Sequence, residues 1–227
     1  MRKLSLAVPN GSMQAQILAM LALVGINVVR RERQFVFPVD HPQVGAVIFM
    51  RPQHMPRLVD EGKYDLAICG YDLYEEHKLS GGRFPLDAAK LWGKFSGPKA
   101  DVRPTQIVAF THISDRIKKP ADLPAQICTI TEYPGLTKAW LRRQNIYTGC
   151  DMSYGCTEAH VPRDYRLGVC LTETGRTLVA NKLVVIDILL KTSPVLLAAS
   201  STVCSEQGLV FKRTLVEAGL LEGGIID

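Results

Sequence analysis

The chain has 227 residues, of which 47% are hydrophobic and 22% charged, with a formal net charge of +5 and a sequence pI of about 8.9. That composition excludes a disordered chain and supplies enough apolar mass for one large domain or two small lobes. The basic excess is mild, and its only tight runs are Arg30-Arg31-Glu32-Arg33 and Arg142-Arg143, so it suits small anionic ligands and gives no nucleic-acid surface.

Lys3 to Val8 reads as a short buried strand, followed by the turn Pro9-Asn10-Gly11-Ser12 with Ser12 as the expected N-cap. Apolar residues at helical spacing (Ile17, Met20, Leu21, Val24) predict a helix over 13–24, stopped by Gly25. A strand over 44–50, a short helix over 55–61 closed by Gly62, and a strand over 65–69 ending at Gly70 follow. This alternation argues for an α/β fold with mostly parallel sheets. Residues 78–105, rich in glycine and proline, break the pattern and read as a surface excursion into a second lobe. Strands are expected at 106–110, 127–130 and 167–171, a turn at 119–123, a helix over 136–144, helix then strand over 179–190, a strand over 194–199 and a closing helix over 208–219. The expected organisation is a first lobe of residues 1–104 plus 191–227 and a second of 105–190, with ligands in a cleft between the lobes, where the carboxyl ends of the strands collect candidate residues.

No apolar stretch reaches the roughly 20 residues of a membrane span. Arg2-Lys3 could open a signal peptide, but Pro9, Asn10, Gly11 and Gln14 interrupt any apolar core, so a cytoplasmic protein with no membrane contact is expected. Six cysteines form no Cys-x-x-Cys pair, and Cys69 and Cys170 lie in apolar runs. They read as small buried hydrophobes in a reducing compartment. Five histidines (His41, His54, His77, His112, His160) show no metal-ligand spacing, so no protein metal site is expected.

The most informative stretch is Glu173-Thr174-Gly175-Arg176-Thr177-Leu178, directly after the strand over 167–171. Glycine permits a tight bend with closely approaching N–H groups, and two threonine hydroxyls plus a guanidinium add donors for phosphate oxygens. A helix starting at Leu178 would favour the same anion. Taken alone, a Thr-Gly-x-Thr bend is also an ordinary polar turn.

In chain order, Ala7-Val8-Pro9-Asn10-Gly11-Ser12, Met50-Arg51-Pro52-Gln53-His54-Met55-Pro56, Asp65 to Asp72, Thr131-Glu132-Tyr133-Pro134-Gly135-Leu136, Gly155-Cys156-Thr157-Glu158 and Glu173 to Leu178 with Asn181 and Leu183 resemble ATP phosphoribosyltransferase in its short form. The resemblance implies a two-lobed fold like that of periplasmic binding proteins. It also implies transfer of phosphoribosyl from phosphoribosyl pyrophosphate to ATP, releasing pyrophosphate, in histidine biosynthesis. Thr174, Gly175, Arg176 and Thr177 would hold the 5-phosphate. Glu158 and Glu173 would face the ribose and its developing cation. Gly11, Ser12, Arg51, Asp72 and Tyr133 would lie on the nucleotide side. Mg2+ would arrive on the substrate pyrophosphate. A homo-oligomer and a regulatory subunit similar to histidyl-tRNA synthetase are the implied protein partners. Asp72 also reads as a helix N-cap and Tyr133 as the closure of a Tyr-Pro turn. Three features depart from the family: Cys170 stands where an acidic residue is common, Val161-Pro162-Arg163-Asp164-Tyr165-Arg166 replaces a small-and-acidic run, and Pro9-Asn10 stands where a lysine often appears. They leave open a paralogue with another acceptor, or a non-catalytic subunit that binds a phosphorylated metabolite.

Overall fold

In the computed structural model, residues 2–11, 13–29, 33–82, 86–90 and 105–221 are described. The chain divides into two compact units, Met1–Tyr74 with Gly82–Ala100 and Ser193–Asp227, and Glu75–Gly81 with Asp101–Thr192.

The first unit contains β1 (Leu4–Pro9), α1 (Gln14–Leu23), β2 (Val36–Pro38), β3 (Val44–Met50), α2 (Met55–Asp60), β4 (Leu66–Gly70) and the first residues of α3 (Tyr71–Leu79). The second unit holds the rest of α3. After β5 (Leu86–Lys90) of the first unit, the second continues with β6 (Gln106–His112), β7 (Thr129–Thr131), α4 (Pro134–Arg143), β8 (Asp151–Met152), β9 (Leu167–Thr172), α5 (Arg176–Ala180) and β10 (Leu183–Lys191). The chain then returns to the first unit with β11 (Pro194–Ala199), α6 (Ser200–Val203) and α7 (Glu206–Glu217).

The six-stranded sheet of the first unit has the order β2-β3-β1-β4-β11-β5. Its central strands are apolar throughout because both faces are covered. Side chains alternate between faces at a period of two. Leu4, Leu6 and Val8 of β1, Leu66 and Ile68 of β4, and Leu196 and Ala198 of β11 join Ile17, Met20 and Leu21 of α1 and Phe211 and Leu215 of α7 in one core. Ala7, Ala67, Cys69, Val195 and Leu197 of the same strands face Met55 and Val59 of α2 and Tyr74 of α3. Each fully buried large side chain here contributes about 1.5–3 kcal/mol. Gly25 follows α1 with φ of +82°, a left-handed stop that glycine adopts cheaply. The capping role expected of Ser12 lies outside the described residues. At α7, Ser205 Oγ accepts the Gly208 amide at 3.1 Å.

The second unit's five-stranded sheet runs β10-β6-β9-β7-β8. Val108, Phe110, Ile130, Cys170, Leu178 and Leu183 form the core of one face. From α4, Trp140 Nε1 donates to Asp187 Oδ2 of β10 at 2.8 Å.

The α/β plan holds, but both sheets are mixed. β1 is parallel to β3 and β4, and β7 is parallel to β8 and β9. By contrast β2–β3, β4–β11, β5–β11, β6–β9 and β6–β10 are antiparallel. In the first sheet β11 re-enters against β4 and β2 opposes β3; in the second, β6 runs against both its neighbours, β9 and β10. Helix α3, which the reading of Asp72 as an N-cap anticipates, starts at Tyr71 with Asp72 in its first turn; its extent is hidden because only Asp72 and Tyr74 of its polar sequence are buried and no apolar stripe announces it. Most of the excursion at 78–105 lies outside the described residues, but 86–90 forms the edge strand β5.

Gly168 of β9 packs directly under the Phe110 ring, where a β-carbon would fall among the ring atoms. Gly168→Ala is therefore expected to destabilise the protein by about 1–3 kcal/mol, read from chemical denaturation midpoints. Wild-type stability in that variant would mean that β9 is not packed as described.

Candidate functional site

β9 is buried from Leu167 to Cys170 and emerges at Leu171. Its carboxyl end feeds the bend, and the bend is braced by its own threonines. The Gly175 amide donates to Thr172 Oγ1 at 3.1 Å and the Arg176 amide to Thr174 Oγ1 at 3.4 Å. Gly175, at the N-cap of α5, has φ of +70°. A β-carbon there would meet nothing within 4 Å, so backbone conformation and not crowding selects glycine. Beyond the bend, Leu178 is 2% exposed and fixes α5 in the core. Asn181 Nδ2 donates to Thr177 O at 2.8 Å, and the Val179 amide to Gly175 O at 3.0 Å. Glu173, Thr174, Arg176 and Thr177 are all exposed. The result is a bend fixed at both ends with its polar side chains outward.

Beside β9 in the sheet, β7 ends at Thr131, whose Oγ1 accepts the Tyr133 amide and the Thr137 hydroxyl, both at 2.9 Å. Glu132 follows, half-buried, with Thr157 Oγ1 donating to its Oε1 at 3.3 Å and Ser153 bound to the same hydroxyl at 2.7 Å. Gly155 (φ +108°) and Cys156 (φ +52°) turn the chain into the 3₁₀ turn Thr157–His160 that carries Glu158. The Cys170 thiol is 2% exposed; burial first, then the charges of Glu158 and Glu132, hold it firmly protonated. Burial also raises the Glu132 carboxyl; the Thr157 hydrogen bond opposes that shift and the Glu158 charge adds to it. Glu132, Glu158 and Cys170 thus form one acidic group at the carboxyl ends of β7 and β9. Next to it, a hollow of about 530 Å3 is lined by Ser153, Tyr154, Gly155, His160 and Tyr165 among others, and His160 is paired with Asp164 at 3.6 Å.

The remaining sequence candidates fall as follows. In the first unit, Gly11 (φ +145°) follows β1 and Arg51 follows β3, and the Asn10 amide donates to Met50 O at 2.9 Å, so these two exposed residues leave neighbouring parallel strands together. Asp72, 3% exposed, lies in the first turn of α3 after β4. Ser12 is outside the described residues. Tyr133, 5% exposed, occupies the N-cap position of α4. Glu158, Tyr133 and the 173–177 bend belong to the second unit, and Gly11, Arg51 and Asp72 to the first. Two residues escaped the sequence reading. Glu132 stood beside the Tyr-Pro turn but drew no role. Glu76 of α3 accepts the Gly135 and Leu136 amides at 2.7 and 2.8 Å, a clamp on the start of α4 that no local pattern signals across 59 residues. Among the described residues no three His, Cys, Asp or Glu side chains are grouped to hold a metal.

The sequence matches the family profile of ATP phosphoribosyltransferase (HisG) over residues 51–217. The chain belongs to this family. The ATP phosphoribosyltransferase of Chlorobaculum parvum is 30% identical over 98% of this chain and 71% of its own length. That of Pelotomaculum thermopropionicum is 31% identical over 84% of this chain. The chain spans only 63% of the length of the latter. In fold, it is similar to the ATP phosphoribosyl transferase (HisG:HisZ) complex from Thermotoga maritima, with a TM-score of 0.73 and 19% identity over 95% of this chain and 98% of that one. It is also similar to the periplasmic aliphatic sulphonate binding protein SsuA from Escherichia coli, with a TM-score of 0.55 and 16% identity over 95% and 68% of the two chains. Among the described residues no helix is long and apolar enough to cross a membrane.

Two predictions test the acidic group. Because the folded Glu132 carboxyl titrates above its ordinary value, its ionisation opposes folding; its contribution is favourable at low pH and is lost as pH rises through the shifted value. Glu132→Gln keeps an oxygen for Thr157. It is expected to match or exceed wild-type melting temperature at pH 8 and to lose that advantage at pH 4, and a variant less stable at both pH values would contradict the assignment. Alkylation at pH 7.5 is expected to label exposed Cys128, Cys156 and Cys204 well before buried Cys69 and Cys170, read by peptide mass spectrometry.

Proposed function

We propose that this chain transfers the phosphoribosyl group of phosphoribosyl pyrophosphate to a ring nitrogen of ATP, releasing pyrophosphate, as in histidine biosynthesis. Family membership supports this reading, and the observation that carries it is the exposed, doubly anchored bend Glu173–Thr177 at the carboxyl end of β9. The Thr174 and Thr177 hydroxyls, the Arg176 guanidinium and the backbone N–H groups around Gly175 bind the 5-phosphate through charge-assisted hydrogen bonds. The Gly175 and Arg176 amides exchange their threonine partners for phosphate oxygens without refolding the bend.

As the anomeric bond to pyrophosphate lengthens, positive charge builds on the ribose and negative charge on the leaving group. Glu158 and Glu173 face the ribose and its cation. Cys170, a buried protonated thiol near Glu158, adds no third negative charge. No covalent nucleophile is needed; positioning and charge matching supply the rate. The pyrophosphate would bring Mg2+ with it, which would supply positive charge against the leaving group. Gly11 and Arg51 meet the phosphate chain of the nucleotide. The protein works as an oligomer and with a HisZ-like partner subunit, by analogy with the Thermotoga maritima complex.

A second reading, a subunit or paralogue that binds a phosphorylated metabolite without turning over ATP, is favoured by one observation: Cys170 is a buried, neutral thiol beside Glu158 where the family commonly has a carboxylate. Pyrophosphate release with Mg2+, phosphoribosyl pyrophosphate and a panel of purine nucleotides, with and without a partner subunit, separates the two. Turnover with ATP supports transfer to ATP, turnover only with another acceptor supports a paralogue, and tight binding without turnover supports the non-catalytic reading. Arg176→Ala combined with Thr177→Ala is expected to weaken phosphoribosyl pyrophosphate binding about 10-fold or more, because hydrogen bonds to charged groups contribute about 1.5–3 kcal/mol each. Unchanged affinity in calorimetry would remove the bend from the site. Glu158→Gln is expected to lower kcat about 10- to 100-fold with little change in KM, the pattern of a contact made in the transition state.

A further inference from the structure

Lys138 and Arg142 stand four residues apart on α4 and so share one face of that helix. Together with Ile146, Tyr147, Thr148 and Gly149, which follow the helix, they line a hollow of about 260 Å3. Both cations are exposed, and neither forms an ion pair with another described residue. The nearby carboxylates are already engaged: Glu76 accepts the Gly135 and Leu136 amides, and Asp151 accepts the Tyr165 hydroxyl at 2.8 Å. Thr148 Oγ1 is shielded from solvent and has no hydrogen-bond partner, a state that buried polar atoms rarely keep without a missing acceptor or donor. Arg142 and Arg143 in the last turn of α4 are accounted for by the negative end of the helix dipole. That account does not cover Lys138, which sits within the helix and repels Arg142, and it leaves the Thr148 hydroxyl unexplained.

We propose that this hollow binds the phosphoryl group of a small anionic ligand, as a second anion site carried by α4 and the segment after it, independent of the bend between β9 and α5. Lys138 Nζ and the Arg142 guanidinium neutralise the anion. Rotation of the Thr148 side chain brings its shielded hydroxyl to one of the anion's oxygens, and Gly149 presents no side chain to the hollow. Ile146, 4% exposed, gives an apolar floor. The volume is below that of sites for drug-sized ligands and fits a phosphate or a compact monoester. The Tyr147 ring, 77% exposed at the rim, is placed to cover the organic part of such a monoester.

The test is a titration of the 15N-labelled full chain with inorganic phosphate at constant ionic strength, following the amide resonances of Tyr147, Thr148 and Gly149. Saturable shifts are expected. Lys138→Gln combined with Arg142→Gln should weaken the apparent affinity at least 10-fold without lowering the melting temperature, and Thr148→Val should weaken it about 3-fold or more. The Arg176→Ala, Thr177→Ala protein should keep the wild-type response at these three amides, whatever that variant does to phosphoribosyl pyrophosphate binding. Absence of saturable shifts, undiminished affinity in the Lys138/Arg142 variant, or loss of the response in the Arg176/Thr177 variant would each overturn the proposal.

Discussion

The reading of this protein depends on one local constraint: a glycine held in left-handed conformation at the junction of a buried strand and a short helix. The strand side is secured because β9 lies between β6 and β7 and is buried through Cys170. The helix side is secured by Leu178, which is 2% exposed. Between these anchors the chain reverses through Gly175, and the hydroxyls of Thr172 and Thr174 hold the amides of Gly175 and Arg176. A loop whose ends and backbone are already fixed loses little conformational freedom when an anion binds. The stability of the second unit's core and the affinity of the bend are therefore linked: whatever loosens β9 against Phe110 also loosens the donors.

Charge around the bend is arranged with economy. Glu132 and Glu158 approach each other at the carboxyl ends of β7 and β9, and burial already disfavours ionised Glu132. A third ionised group at position 170 would add repulsion in a partly desolvated place. The buried thiol found there stays neutral. For the proposed transfer through a ribosyl cation, two carboxylates beside a neutral thiol are a coherent set.

Much of this was legible in the sequence, for identifiable reasons. β3 at 44–50 and the strand feeding the bend were visible because central strands covered on both faces read as unbroken apolar runs. The bend itself was visible because Gly175 and its threonines are contiguous. What stayed hidden depends on contacts far apart in the chain or on elements with little apolar content. The extent of helix α3, read only from its start at Asp72, is of this kind because it buries Asp72 and Tyr74 alone, and so is the three-residue strand β2, which buries only Phe37. The antiparallel returns of β10 and β11 are a matter of topology, which local periodicity does not encode. Glu76 reaches Gly135 from 59 residues away, and the role of Glu132 emerges only when Thr157 and Glu158 fold beside it. Family resemblance supplied the substrates, which neither composition nor spacing could name.

Gly11 and Arg51 leave adjacent parallel strands of the first unit, and the bend and the acidic group belong to the second. The central claim is that the bend at Gly175 holds the sugar phosphate. It is tested most directly by a crystal structure of the protein with phosphoribosyl pyrophosphate and Mg2+. The account predicts 5-phosphate oxygens about 2.7–3.2 Å from the backbone amides and hydroxyls of residues 174–177, with the ribose turned toward Glu158. A sugar phosphate bound elsewhere, with the threonine hydroxyls still on the Gly175 and Arg176 amides, would contradict it.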